Sequence, residues 1–473
     1  MRKRARAVVA ALTIAVAALL AYGVFVEPRR PVLEHVVIPC RGLTAPVKVL
    51  VVSDVDFPRA EAGRALARRT AATEKPDLVF IPGDFLDRVS SVGDDAIVRA
   101  AGEELLKLDA AAGRFVALGE EESPFVEQLQ KAWTAPGLTV GSNQALEVVT
   151  RGGPIDLFIA DVRTDHAPWG VVASDRAALA CRGRYVTSSV RYEPALSAPW
   201  GDVEITLAFR IDDPIAYVDF RFGWHADGPG DAGNGWRLIR HAYDPAFRLL
   251  PRFPGDHAAS GRVASGYEPA PGIWHRVRIR MEDDGAATRV RARFWPERGI
   301  EPRGWLIDVV DHGPGRRHTG TIGFGARFGD RQIADLHVTG ADGSVLLAER
   351  FDDRTRFDAA WTQTSKLAAW AKRESTLPRL VLSHHPDVAI DLALIGAPPP
   401  ALVVAGHTHG GQVAVPGYGP LFTSTRLPHR LAAGLGQWRG VPLFVTVGIG
   451  TSVIPIRLFV PPEVDLLTLQ PSP

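Results

Sequence analysis

Two textures of apolar and polar residues alternate along this chain. In the first, short unbroken apolar runs end in small and acidic residues. Residues 49–52 run into Ser53-Asp54, residues 78–81 lead to Gly83-Asp84, and residues 115–118 lead to Gly119-Glu120-Glu121-Glu122. Runs of this length without alternation read as strands buried on both faces, as in a parallel sheet. Between them, residues 60–75 and 94–110 carry apolar side chains at helix-compatible spacing, so the order predicts an α/β sheet. A further strand is predicted over 155–160. The same texture returns after an amphipathic helix predicted over 357–374, in apolar runs at 380–382 and 402–405 that end in Ser383-His384-His385 and Gly406-His407.

The second texture fills residues 169–353. Val203, Ile205, Leu207, Phe209 and Ile211 alternate with Glu204, Thr206, Ala208 and Arg210, and segments 277–281 and 290–294 alternate likewise around the turn residues Asp283-Asp284-Gly285. Period two with one buried face predicts an all-β sandwich. Seven of the eleven tryptophans lie here (Trp169, Trp200, Trp224, Trp236, Trp274, Trp295 and Trp305), and core packing is the preferred reading over a ligand groove. The sandwich interrupts the α/β domain, whose parts are 45–165 and 357–470. An insertion of this kind needs a surface loop with ends close together, placed near residues 161–168.

Residues 7–26 carry no charge and follow a basic cluster, Arg2, Lys3, Arg4 and Arg6, within residues 1–6. Such a stretch is long enough to cross a hydrocarbon core of about 30 Å. The basic end favours a single-pass anchor with a cytoplasmic N-terminus and the main body outside the membrane, and a cleaved signal peptide is the alternative. With 473 residues and 46% hydrophobic content, two folded units are expected. Net charge is +1 with the signs interspersed, so no nucleic-acid partner is expected. Cys40 and Cys181 allow one disulfide or two buried thiols.

The chemistry-bearing residues follow the strands: Asp54 and Asp56, Asp84, Glu120 and Glu121, His384, then His407 and His409. In an open α/β sheet the carboxyl ends of the strands share one edge, so these groups are expected to converge. One carboxylate after a strand is commonly a cap or turn residue, whereas five such sites in order are a metal-ligand pattern.

The order Asp-x-Asp, Gly-Asp, Gly-Glu-Glu, Ser-His-x-Pro and Gly-His-x-His resembles the calcineurin-like metallophosphoesterase superfamily. The ending through Gly410-Gly411-Gln412, Gly450-Thr451-Ser452, Ile456-Arg457 and Pro462-Glu463 resembles its membrane-associated bacterial branch. That resemblance implies a four-layer α/β sandwich with two divalent metal ions that activate a bridging water. Carried over, Asp84 would bridge the ions, with Asp54, Asp56 and His409 on one, and Glu120, His384 and His407 on the other. Glu121 would stand where the family has its candidate general acid. The inserted sandwich, with Trp274-His275-Arg276 and residues 320–324, resembles concanavalin-like, laminin-G-type modules, for which a glycan partner is expected.

Two departures matter. The family's Asp-x-His is Asp54-Val55-Asp56 here, and its Gly-Asn-His-Asp is Gly119-Glu120-Glu121-Glu122. Carboxylates in place of imidazole and amide shift preference toward Mn²⁺ or Mg²⁺ and away from Zn²⁺. They also add negative charge against an anionic substrate. The expected function is metal-dependent hydrolysis of phosphoester or pyrophosphate bonds on a phosphorylated small molecule or a lipid-linked substrate. A catalytically weak metal-binding protein whose sandwich recognises an envelope glycan or protein is the competing expectation.

Overall fold

The computed structural model describes residues 2–473 except 88–93, 121, 162–166, 184–186, 226–233, 242–243, 253–262, 314 and 453. The chain divides into two compact units, one of Met1–Asp165, Ala369–Ala393 and Ala397–Pro473, the other of His166–Ala368 and Leu394–Gly396. Most of the loop predicted to hold the insertion point, residues 162–166, lies outside the described residues.

The first unit is built on two six-stranded sheets. One runs Val32–Arg41, Glu463–Ser472, Val47–Val51, Leu78–Pro82, Gly113–Ala117 and Leu138–Gly141. Its last four strands are mutually parallel. The other runs Gly434–Trp438, Val441–Val445, Leu402–Ala405, Arg379–Ser383, Gly153–Ala160 and Gln144–Thr150. Its four central strands are parallel.

Successive side chains on a strand point to opposite faces, which explains the unbroken apolar runs. Val49, Val51, Leu78, Phe80 and Phe115 pack with Leu157, Ile159, Leu380, Leu382 and Val404 in one core shared by both sheets. Their neighbours Leu50, Val79, Ile81 and Val116 pack with Ala67, Ala71, Val98, Leu105 and Leu129 on the other face. Those partners belong to the helices Glu61–Glu74, Asp95–Leu106 and Val126–Ala132. Asp94 caps the second of these helices, accepting hydrogen bonds from the Ala96 and Ile97 amides. Cys40 and Cys181 are separate buried thiols.

The second unit is an antiparallel sandwich of a seven-stranded and an eight-stranded sheet. Leu207, Phe209, Phe220, Trp236, Phe247, Val277, Phe294 and Phe324 fill the space between them. Trp169 and Trp236 are at most 1% exposed, so these rings are core. Trp305 instead lies half-buried, with the Arg293 and Arg291 guanidinium groups 4.5 and 5.1 Å from its ring.

The helix predicted over 357–374 is broken. A helix Arg354–Ala360 stops at a strand Trp361–Gln363, and a second helix starts at Lys366. The strand pairs with the sandwich strand Ser188–Tyr192, and Ser365 accepts a hydrogen bond from the Ala368 amide at the start of the second helix. An open sheet edge thus overrode the local helical pattern. The chain accordingly returns to the α/β unit at Ala369, not near Phe357.

The N-terminal helix spans Arg2–Phe25. The stretch Ala10–Arg29, which runs from this helix through the short turn Glu27–Arg29, is long and apolar enough to cross a membrane, a property that an N-terminal signal sequence shares.

Candidate metal centre

All seven candidate ligands follow strands of the first unit, and backbone pairing brings their loops together. Asp54 N donates to Gly83 O, Val55 N to Asp84 O and Phe57 N to Phe85 O, so residues 54–57 and 83–85 run side by side. Gly406 N donates to His384 O, and the His407 amide donates to both Asp54 carboxylate oxygens at 3.2 Å.

Asp84, Glu120, His384 and His407 each offer a ligand atom, all within 4.8 Å of one another. His384 Nδ1 lies 2.7 Å from Pro82 O. Nδ1 donates to that carbonyl, which directs Nε2 into the cluster, the orienting contact typical of metal-bound histidine. His384 Nε2 is 3.0 Å from Glu120 Oε2 and 3.4 Å from Asp84 Oδ2, while His407 Nδ1 is 3.1 Å from Glu120 Oε1. Asp54 faces His409 Nε2 at 3.4 Å, and Asp56 Oδ2 accepts the Thr451 amide at 2.7 Å.

Five of the seven candidate ligands share an uncommon backbone conformation. Asp54, Asp56, Asp84, His407 and His409 all have left-handed φ, between 46° and 70°. For a non-glycine residue this costs about 1 kcal/mol or more, and such strain concentrates at functional sites. Two glycines make room for the cluster. At Gly83, with φ of 83°, an added Cβ would fall 2.5 Å from His384 Nδ1, and at Gly119 it would fall 1.8 Å from Asp84 Oδ1.

Carboxylates and imidazole perturb one another strongly within the cluster. Burial opposes the charged forms of both Glu120 and Asp84, but His384 overcomes it and holds each carboxyl below its usual range. Burial likewise opposes His384 protonation, yet Asp84 and Glu120 raise its pKa well above the ordinary value. Burial, reinforced by Asp54, pushes Asp56 up to about 8. Asp84 Oδ1 and His409 Nδ1 are buried without a hydrogen-bond partner among the described residues. Buried carboxylate and imidazole atoms left in this state fit a bound divalent ion.

Within the Gly-Glu-Glu-Glu motif, Glu120 faces the cluster. Glu122 turns inward, accepting the Leu86 amide at 2.8 Å and the Gly119 amide at 3.1 Å. Burial and the nearby Asp84 raise Glu122 to about 7. Glu121 lies outside the described residues. His385 was not singled out from sequence, yet its Nε2 contacts Glu120 and its ring lies 3.6 Å from that of His407, centroid to centroid. The tandem His384-His385 was the available signal.

No family model matches the chain. Over 132 residues, 28% of its length, it is 34% identical to the uncharacterized metallophosphoesterase YkuE of Bacillus subtilis (strain 168). Over 96 residues, 20% of its length, it is 40% identical to the phosphodiesterase YaeI of Escherichia coli (strain K12). These matches span 42% and 34% of the relatives' own length. A solved protein of unknown function with galectin-like fold, from Bacillus subtilis, aligns over 38% of this chain and 90% of its own, with 14% identity and a TM-score of 0.26. That alignment adds nothing to the two-sheet architecture read from the strands. Over part of its length, the chain is similar to proteins named metallophosphoesterase and phosphodiesterase.

Proposed function

We propose that this protein is a metal-dependent hydrolase of phosphoester or pyrophosphate bonds. The observation that carries the reading is the convergence of Asp84, Glu120, His384 and His407 within 4.8 Å, and the partial similarity to phosphoesterases supports it. In this reading the two-sheet unit is a four-layer metallophosphoesterase sandwich. Asp84 stands between two ligand sets, Glu120, His384 and His407 on one side and Asp54, Asp56 and His409 on the other.

Two divalent ions, Mn²⁺ or Mg²⁺ in preference to Zn²⁺, supply charge neutralisation on the phosphoryl oxygens and lower the pKa of water when bound. The chain's own residues hold and orient. Pro82 O fixes the orientation of the His384 ring, and Asp54, Asp84 and His407 take left-handed backbone conformations just after the strand ends. Glu121, next to Glu120, is the proposed proton donor to the leaving group.

We further propose that the N-terminal helix is an uncleaved anchor with a cytoplasmic N-terminus. The catalytic unit then works outside the membrane on a phosphorylated small molecule or a lipid-linked phosphate, and the sandwich binds a glycan of the envelope. The test of the central reading is turnover of a generic aryl phosphodiester by the purified full chain with Mn²⁺. Hydrolysis abolished by chelation and restored by Mn²⁺ is expected. Bound metal without turnover under any divalent ion would refute catalysis and leave a metal-binding recognition protein.

A further inference from the structure

Large apolar side chains are exposed along two segments, 415–422 and 454–459, that are tied to the loop carrying His407 and His409. Tyr418 is 75% exposed, Phe422 72%, Leu421 57%, Ile454 56%, Phe459 50% and Val415 43%. These segments are joined to the ligand loop by hydrogen bonds. Leu421 N donates to Val413 O, Ala414 N to Leu458 O, Leu458 N to Gln412 O, and Ser424 Oγ to His407 O. An apolar surface of this kind usually marks a docking site.

The same segment receives the end of the N-terminal helix. Arg457 N donates to Gly23 O at 2.9 Å, Val460 N donates to the buried Glu27 Oε1 at 2.6 Å, and Val32 N donates to Pro462 O at 2.9 Å. Arg457 is fully buried and donates to the carbonyls of Val447, Gly448, Gly450 and Val460, which fixes that segment. Only Val26 lies between the helix end at Phe25 and Glu27, so the helix leaves the unit without a linker. Arg29 and Arg30, both exposed, stand at this exit, where they suit anionic headgroups.

Resting on the reading of that helix as a membrane anchor, we infer that the rim formed by Val415, Tyr418, Leu421, Phe422, Ile454 and Phe459 seats in the interfacial layer of the same bilayer. The occupant follows from continuity, since the lipid-facing helix and the rim meet at Gly23 and Arg457. Burying each large apolar side chain is favourable, so a few of these together suffice to hold the orientation. A tyrosine at such a boundary keeps its ring among headgroups and its hydroxyl in water. The mouth of the metal centre then lies at the headgroup layer, within reach of phosphates carried there.

The test places an environment-sensitive fluorophore at single new cysteines in the full chain, reconstituted in phosphatidylcholine and phosphatidylglycerol vesicles. The native Cys40 and Cys181 are at most 2% exposed, so labelling is confined to the introduced sites. Tyr418→Cys, Phe422→Cys and Phe459→Cys are compared with Val149→Cys, an exposed position on the edge strand Gln144–Thr150. Blue-shifted emission and at least threefold stronger quenching by spin-labelled lipid at the three rim sites than at 149 is expected. Equal access of aqueous iodide to all four sites, in protein that alkaline carbonate fails to extract, would overturn the seating alone. A chain extracted by carbonate would overturn the anchor reading and the seating with it. Protection that persists in detergent and rises with protein concentration would assign the rim to a second copy, and would also overturn it.

Discussion

His384 Nε2 lies 3.0 Å from Glu120 Oε2, although 264 residues of chain separate the two. The pair joins the ends of strands from different sheets, Gly113–Ala117 and Arg379–Ser383. Both groups are poised by the same contact, which lowers the carboxyl and raises the imidazole. A divalent ion placed among these atoms would take over the attraction that each now supplies to the other.

Asp84→Asn keeps the shape and removes the charge at the centre of the ligand set. Turnover with Mn²⁺ is expected to fall by at least about 100-fold, with metal affinity falling in parallel. His407→Ala should have the same effect. Steady-state rates across a Mn²⁺ titration check both, and unchanged turnover in either variant would refute the ligand assignment.

Gly119→Ala tests the close approach. Its methyl would overlap Asp84 Oδ1, so the carboxylate or the loop must move. We expect a folded protein by circular dichroism with Mn²⁺ affinity reduced about 10-fold to 100-fold, the range seen when supporting contacts are lost. Metal binding followed by calorimetry measures it.

Glu122→Ala leaves the Leu86 and Gly119 amides without their buried acceptor. Each unpaired buried amide costs about 1–3 kcal/mol. The α/β unit should therefore unfold at lower denaturant, with a larger loss than at an exposed control such as Glu103. A denaturation curve read by circular dichroism decides it.

The sandwich carries its own pH dependence. Burial favours the neutral form of Asp219, but Arg237 and Arg221 overcome it and hold the carboxyl below its usual range. A depressed native pKa gives stability that is present above the unfolded value, about 4, and is lost as pH falls below it. Asp219→Asn removes the carboxylate from two set arginines and is expected to cost about 3–5 kcal/mol at neutral pH, while flattening the acid-side loss. Tryptophan fluorescence during denaturation between pH 3 and 7 reports both.

The strand ends were legible because their apolar runs are buried on both faces and stop abruptly at Asp54, Asp84, Glu120, His384 and His407. Three consecutive glutamates offered no such signal. Only the turn after Leu118, in which Glu122 caps Leu86 and Gly119, decides that Glu120 faces the histidines. His385 is signalled only by the tandem His384-His385, since adjacent imidazoles in a loop have no period that assigns either one to the cluster. The break at Trp361 was also not legible locally. Its pairing with Tyr192 is a contact between segments 169 residues apart that a helical pattern around Phe357 cannot reveal.

The proposed centre holds two divalent ions among these residues. Elemental analysis of the full chain saturated with Mn²⁺, alongside Asp84→Asn, tests it most directly. Two ions per wild-type chain, and loss of at least one in the variant, are expected. No tightly held metal in the folded wild type, or the same stoichiometry in both, would contradict it.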